Sequence, residues 1–477
     1  MQTRLFAPAA LAFTLLLVTT AATAQQQAQQ QQPPVRPTPL APAGQKSAPQ
    51  PPKPLTPAEI EEQQKLAITS YEAGEYLKFV QATIRLRNAR PYEPQYMIGM
   101  VVGGALVDRP KTAYTYMHMM QQQGLSYDFN ATDDTESIRG TEVYDYLNSL
   151  LVKAAEPNGV AETSFELPKS TSYPEALAWD ARANRFLVGT LEGGKVLAVS
   201  PEGKVTELLE SGKDNGLRAI YGLAVDAERK RLWVSTVATP AFGDLAEGEL
   251  GRTALLEFDL DSLELLNRFE PPADQYPHFL GSISLTPEGD VFVMDRAVPM
   301  VFIKPQAGNS LSLFMGNFQL TGLRDMTISD DGRWLFLADA ALGIMVADLN
   351  KNTANMLAGP ETLNLGAISG LDFARGSLYM LQSGIKPQRL MRLDLDATGL
   401  NVVNVVPLAS GLQSYAEPSF GRVQGAEVFY FAGSNLSGKR EGKINPLVLR
   451  TPVEPPADQQ TPEQRLGEEM LNQDKQP

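Results

Sequence analysis

Glu175-Ala-Leu-Ala-Trp-Asp180, followed after a polar turn by Arg185-Phe-Leu-Val-Gly189, is the stretch on which the fold is decided. An apolar strand ending in Asp is joined by a turn to an apolar-aromatic strand. The pair returns as Tyr221-Gly-Leu-Ala-Val-Asp226 with Leu232-Trp-Val-Ser235, and as Ile283-Ser-Leu-Thr286 with Val291-Phe-Val-Met294. It returns again as Met326-Thr-Ile-Ser329 with Leu335-Phe-Leu-Ala-Asp339, and as Gly370-Leu-Asp-Phe373 with Leu378-Tyr-Met-Leu381. The sixth copy is Glu417-Pro-Ser-Phe-Gly421 with Val428-Phe-Tyr-Phe431. A third strand follows most pairs, such as Leu255-Leu-Glu-Phe-Asp259 or Met345-Val-Ala-Asp348. With Glu175, Tyr221, Gly281, Arg324, Ser369 and Glu417 as equivalent points, the spacings are 46, 60, 43, 45 and 48 residues. The long interval holds a Gly-, Ala- and Glu-rich insertion, Ala238 to Arg252. Repeats of this length with three or four short strands predict a propeller, in which each blade has two apolar faces that only neighbouring blades can cover. The reading is a mainly β chain with a six-bladed β-propeller over residues 163–450. Ser164-Phe-Glu-Leu167 should complete the last blade as its outer strand. A β-sandwich explains the fixed period poorly.

A small all-α domain should precede the propeller, over residues 56–155. Thr56-Pro57-Ala58-Glu59 is a helix start, with an N-cap Thr, a first-turn Pro and a Glu three residues on. Gly74 breaks this helix, and a second runs to about Asn88. Another pair, Pro94 to Val107 and Pro110 to Gln123, turns at Asp108-Arg109. The turns at Gly74 and Arg109 lie 35 residues apart, close to the tetratricopeptide period. A last helix, Thr141 to Ala154, should cap the stack. Met117, Met119, Met120, Tyr114 and Tyr116 are expected between helices, and Asp133-Asp134 in a solvated loop.

The ends of the chain speak to compartment. Arg4, an apolar run from Leu11 to Val18 and Ala22-Thr23-Ala24 have the layout of a signal peptide over residues 1–24. Residues 25–55 are Gln- and Pro-rich and read as a disordered linker, and residues 451–477 as a disordered tail. A periplasmic or secreted location is the expectation, with no integral membrane segment after cleavage. The chain has no cysteine, so disulfides and a lipid-bearing Cys are excluded. Net charge is −14 with no basic stripe, which argues against nucleic acid as a partner. Only two His leave little scope for zinc or copper, although carboxylates can still hold a hard cation. Asn130-Ala-Thr132 and Asn435-Leu-Ser437 are glycosylation sequons in form only.

Through Tyr173-Pro-Glu-Ala-Leu-Ala-Trp-Asp180, Tyr221-Gly-Leu-Ala-Val-Asp226 and Thr327-Ile-Ser-Asp-Asp-Gly332, the repeat unit resembles gluconolactonase-like propellers of the regucalcin type. It is also close to NHL and strictosidine synthase-like repeats. Ile368-Ser-Gly-Leu371 and Ser383-Gly-Ile-Lys-Pro-Gln-Arg389 suggest an exported bacterial branch with tetratricopeptide-like helices in front. The resemblance implies a divalent cation in the axial channel, calcium or another, that polarises a lactone carbonyl. Glu175 matches the first ligand of that pattern. Arg324-Asp325 stands where the resemblance implies an Asn-Gly ligand, and Ser369-Gly370 where it implies an Asp-Gly ligand and base. A one-residue shift would return Asp325 to the channel.

The candidate channel residues are therefore Glu175, Tyr221, His278, Arg324, Asp325, Ser369 and Glu417. Glu175 and Glu417, from neighbouring first and last blades, are the candidate metal ligands. Asp180, Asp226, Asp339 and Asp348 read as turn residues that accept backbone N–H groups. No nucleophile triad, Walker loop or dinucleotide fingerprint is present. Two functions fit. The first is a binding or scaffolding protein without a cofactor, with a protein or peptide partner on the helical repeats and a small molecule at the channel. The second is a metal-dependent lactone or ester hydrolase, with Glu175, Asp325 and Glu417 holding the cation and His278 or a carboxylate as base.

Overall fold

A computed structural model describes residues 55–168, 171, 173–212, 214–243, 245–317, 319–433 and 446–455. The expected signal peptide, nearly all of the linker, most of the tail and the Asn435 sequon lie outside the described residues. The chain enters the propeller through β1 (Asn158–Gly159) and β2 (Glu162–Glu166). Blade 1 holds β3 (Pro174–Asp180), β4 (Arg185–Thr190), β5 (Val196–Val199) and β6 (Val205–Leu209). Blade 2 holds β7 (Ala219–Asp226), β8 (Arg231–Val237), β9 (Thr253–Asp259) and β10 (Leu265–Phe269). Blade 3 holds β11 (Leu280–Leu285), β12 (Val291–Asp295), β13 (Met300–Lys304) and β14 (Ser312–Gly316). Blade 4 holds β15 (Leu323–Ile328), β16 (Trp334–Asp339), β17 (Gly343–Asp348) and β18 (Thr353–Met356). Blade 5 holds β19 (Ile368–Ala374), β20 (Ser377–Gln382), β21 (Arg389–Leu395) and β22 (Val402–Ser410). Blade 6 holds β23 (Ser419–Gln424), β24 (Glu427–Phe431) and β25 (Leu447–Pro452), and β2 pairs with β25 as its outer strand. The ring is thus closed by its own N-terminal strand, as expected.

Blades cohere because both faces of each sheet are apolar. Leu187, Ala198, Ile220, Leu232 and Val234 fill the space between blades 1 and 2. Phe336, Val346, Leu371 and Met380 do so between blades 4 and 5, and Phe165, Phe186, Phe429 and Phe431 between blades 6 and 1. Inner strands touch in cyclic order from β3 through β7, β11, β15, β19 and β23 back to β3. Such contact leaves no room for a side chain on β7 at Gly222, because the Gly281 carbonyl of blade 3 lies where its Cβ would project.

Among the described residues, five α-helices precede the ring: α1 (Pro57–Glu72), α2 (Tyr76–Ala89), α3 (Pro94–Leu106), α4 (Pro110–Gln122) and α5 (Glu142–Lys153). Thr56 and Glu59 make the reciprocal capping box: the Glu59 N–H donates to Thr56 Oγ1 at 3.3 Å, and the Thr56 N–H to Glu59 Oε2 at 2.7 Å. Gly104 lets α3 and α4 meet backbone to backbone, since a Cβ there would lie 2.8 Å from the Ala113 nitrogen. Met117 and Met120 are fully buried among α3, α4 and α5, with Tyr114, Tyr116 and Met119 partly buried around them. Asp134 departs from the expected solvated loop. Half-buried, it accepts from Tyr71 Oη at 2.5 Å and Thr132 Oγ1 at 2.8 Å, tying α1 to the loop before α5.

Two further features depart from the sequence reading. β25 runs to Pro452 with Thr451 buried, so the expected tail begins inside the last blade. β1 adds a fifth strand to blade 5 by pairing with β22.

Candidate functional site

Antiparallel strands place the start of every inner strand, the loop between second and third strands, and the loop arriving from the previous blade at one end of the ring. Every inner strand carries a bulge near that top end. Pro174 pairs with Thr190 and Ala176 with Gly189, leaving Glu175 unmatched. Tyr221, Arg324, Ser369 and Phe420 are unmatched in the same way, and Gly281-Ser282 occupy the bulge of blade 3. A bulge re-aims its extra side chain away from the pleat. The sixth equivalent point is therefore Phe420 and not Glu417. Glu417 lies three residues before it, exposed, with φ 66°, and its N–H donates to Gln388 Oε1 at 3.3 Å. Glu417 is not among the residues that line the axial cavity with Glu175, so the two carboxylates do not share it as expected.

Glu175, Tyr221, Ser282, Asp325, Phe420 and Arg422 line an axial cavity of about 10 Å³, room for about one water. Glu175 is 2% exposed. Its Oε1 accepts from Arg296 Nη1 at 3.0 Å, while Oε2 is buried without a partner among the described residues. Burial pushes the Glu175 carboxyl up, and the Arg296 charge only partly opposes this. Arg296 follows β12 in a top loop, and its guanidinium lies 5.5 Å from the Tyr221 ring centre and 5.7 Å from that of Phe279. The two rings meet edge to face at 4.5 Å, and Tyr221 Oη lies 3.2 Å from Thr239 Oγ1 of the insertion. The insertion thus reaches the mouth at blade 2, where Arg218 also holds Glu249.

Arg324 stands one residue nearer the top than Asp325. Its side chain has no hydrogen-bond or ion-pair partner among the described residues, and the residue is exposed. Desolvation by the surrounding rim and the nearby Arg296 charge hold its guanidinium below the ordinary value, against opposing pulls from Asp339 and Glu175. Asp339 spends its oxygens on the N–H groups of Thr321, Gly322, Ala341 and Leu342.

Asp325 is a staple between blades. Its Oδ1 accepts from Ser282 Oγ at 2.5 Å and the Met326 N–H at 2.9 Å, and its Oδ2 from the Leu371 N–H at 2.8 Å. Burial raises its carboxyl. Ser369 donates to the Pro418 carbonyl at 2.6 Å, linking blades 5 and 6. His278 is not among the residues lining the axial cavity. Its Nδ1 lies 2.7 Å from Asp295 Oδ2, its Nε2 3.1 Å from Asp274 Oδ1, and its ring packs edge-on against Phe302. Burial lowers its pKa, but the two carboxylates outweigh that and raise it. Asp180, Asp226, Asp339 and Asp348 cap turns through backbone N–H groups, as expected.

These donors do not fit a divalent cation. Glu175 Oε1 is held by Arg296, Asp325 by its three donors, and Arg324 brings positive charge to the same rim. Among the described residues no three His, Cys, Asp or Glu side chains gather as a ligand set. Arg296 and Phe279 escaped the sequence reading, because Arg296 lies 121 residues from Glu175 and meets it only when the ring closes.

The helical domain is mounted on the same face. Ile385, in the loop joining β20 to β21, enters the core of α3, α4 and α5. The Ser126 N–H donates to the Lys386 carbonyl at 2.8 Å. Arg389 is buried and has no carboxylate partner among the described residues, donating to the Gln123 carbonyl and to Gln382 Oε1, each at 2.7 Å, and burial pushes it down to about 10. Asn364 bridges Gln123 and the Tyr92 carbonyl.

No helix among the described residues is long and apolar enough to cross a membrane. No family model matches the chain, and no curated protein matches it. Solved propeller structures do. An oxidoreductase described as a glucose dehydrogenase from Thermus thermophilus is 17% identical, covering 62% of this chain and 100% of its own, with a TM-score of 0.43. A PQQ-bound aldose sugar dehydrogenase from Streptomyces coelicolor is 15% identical over 62% of this chain and 100% of its own, with a TM-score of 0.41. A gluconolactonase from Xanthomonas campestris is 15% identical over 62% of this chain and 94% of its own, with a TM-score of 0.42.

Proposed function

We propose that this chain is an exported binding protein whose propeller mouth holds a small molecule among its bulge side chains, without metal-assisted hydrolysis. The observation that carries the reading is the Glu175–Arg296 pair. The one carboxylate matching a cation ligand is already neutralised by a guanidinium at 3.0 Å. Cavity size supports it too: about 10 Å³ below the rim admits a water, so a ligand sits at the mouth. Because the helical repeats are fixed to the rim through Ile385 and Arg389, a protein or peptide partner on them would lie beside that mouth. Export rests on residues 1–24.

A second reading, a divalent-metal lactone or ester hydrolase, draws on the unpartnered Glu175 Oε2 beside Asp325. A cation would have to displace Arg296. Thermal unfolding after chelator treatment, with calcium, magnesium, manganese or zinc added back, separates the two. The binding reading expects no saturable shift. A shift for one ion that disappears in Glu175→Ala overturns it in favour of the hydrolase.

A further inference from the structure

We infer that the propeller mouth selects a small monocarboxylate bearing a hydroxyl group, held by Arg324. This inference rests on the binding reading above. Arg324 is the mouth's unspent cation. Arg296 is engaged with Glu175, Arg422 with Asp372, and Arg218 with Glu249, whereas Arg324 has no hydrogen-bond or ion-pair partner among the described residues. A guanidinium presents a planar fork of donors that matches a carboxylate bidentately. The Glu175–Arg296 pair is neutral as a whole, so Arg324 is left as a single positive charge, which matches a monoanion better than a dianion and sets monocarboxylates above phosphate.

The second observation is independent of charge. Glu175 lines the axial cavity, and its Oε2 is buried and accepts no hydrogen bond among the described residues. Leaving such an acceptor unpaired is costly, so the mouth is incomplete without a donor. A hydroxyl next to the ligand's carboxylate can donate to Oε2, directly or through the one water the cavity accommodates. Tyr221, Phe279 and Phe420 supply apolar contact for the remaining carbon atoms. The chemistry required is thus a short acid with an adjacent hydroxyl, shaped like lactate.

The test is thermal unfolding of the full chain titrated with lactate, acetate, lactamide or inorganic phosphate, each against sodium chloride of equal ionic strength. Lactate should give a saturable rise in Tm, acetate a weaker one, and lactamide and phosphate none. Arg324→Gln should leave the unliganded Tm unchanged, because the side chain bonds to nothing among the described residues, and weaken lactate by on the order of tenfold or more. A lactate shift unchanged in Arg324→Gln, equal shifts for lactate and lactamide, a stronger shift with phosphate, or no shift with any anion each overturns the inference. Of these, equal shifts for lactamide leave the binding reading standing. A calcium shift lost in Glu175→Ala removes the binding reading itself.

Discussion

Replacing Arg296 by glutamine tests the electrostatic account of the mouth, because it strips the buried Glu175 of its only charged contact within 4 Å among the described residues. The carboxylate is 2% exposed and one of its oxygens already lacks a partner. Left ionised and alone it would cost about 3–5 kcal/mol, the usual penalty for breaking a buried pair from one side. It has an escape, which is to take up a proton. Protonation costs about 1.4 kcal/mol per pH unit above the ordinary Glu pKa, so the ceiling is about 3.7 kcal/mol at pH 7 and about 1 kcal/mol at pH 5. Because burial already raises the Glu175 carboxyl with Arg296 in place, part of this cost is present in the parent chain, so Arg296→Gln should lose less than that ceiling, under about 3.7 kcal/mol at pH 7 and under about 1 kcal/mol at pH 5. Glu175→Gln should behave differently. It leaves Arg296, 23% exposed and lying over Tyr221 and Phe279, free to meet water, so the loss should stay within about 1 kcal/mol. Urea unfolding followed by tryptophan fluorescence reads this cleanly, since Trp179, Trp233 and Trp334 all lie in the propeller. An Arg296→Gln penalty equal at both pH values, or no larger than that of Glu175→Gln, would refute the reasoning.

Ile385→Ala should cost about 2–5 kcal/mol of helical-domain stability, because the side chain is 3% exposed in a core whose other buried members all come from residues 97–151. Limited proteolysis should then cut within residues 56–155 while the tryptophan signal of the propeller persists, and uncut helices would count against the docking role. His278 has a raised folded pKa, so its clamp between Asp295 and Asp274 stabilises fully below the unfolded value of about 6.5 and is lost as pH rises through the folded value. In His278→Gln the fall in Tm over that window should flatten, and an unchanged slope would show that the imidazole stays neutral.

The propeller was legible because each blade is apolar on both faces, so its strands appear as continuous runs at a regular interval. Helix starts were legible for a local reason: Thr56 and Thr141 each cap within three residues. What the sequence concealed depends on closure or on register. The Glu417 and Phe420 positions differ by three residues, and only hydrogen bonds to Phe431 and Tyr430 across the sheet say which one bulges. β1, Asn158-Gly159, carries no apolar residue to announce a strand. The string Ser383 to Arg389 stood out in the sequence, yet its function needs the helices. Ile385 is the single apolar side chain in a polar turn, and its burial comes from outside its own blade.

The bulges also explain how a closed ring can carry a variable mouth. Positions just beyond them hold the blades together. Gly222 admits the Gly281 carbonyl, Asp325 takes the Leu371 N–H, and Asp372 takes the Val423 N–H at 2.7 Å and Arg422 at 3.3 Å. Each of these contacts crosses from one inner strand to the next, so altering one loosens a blade junction. The bulge residues have no partner across their own sheet, and their side chains divide by what the rim offers. Ser369 is drawn into a blade contact, Glu175 is neutralised by Arg296 from a loop of blade 3, and Arg324 is left with none among the described residues. In a chain of net charge −14 a lone guanidinium attracts anions only at short range, since the field of the whole molecule opposes their approach. On the proposed reading, recognition at this mouth would depend on close geometric fit to Arg324 and Glu175 and not on long-range steering.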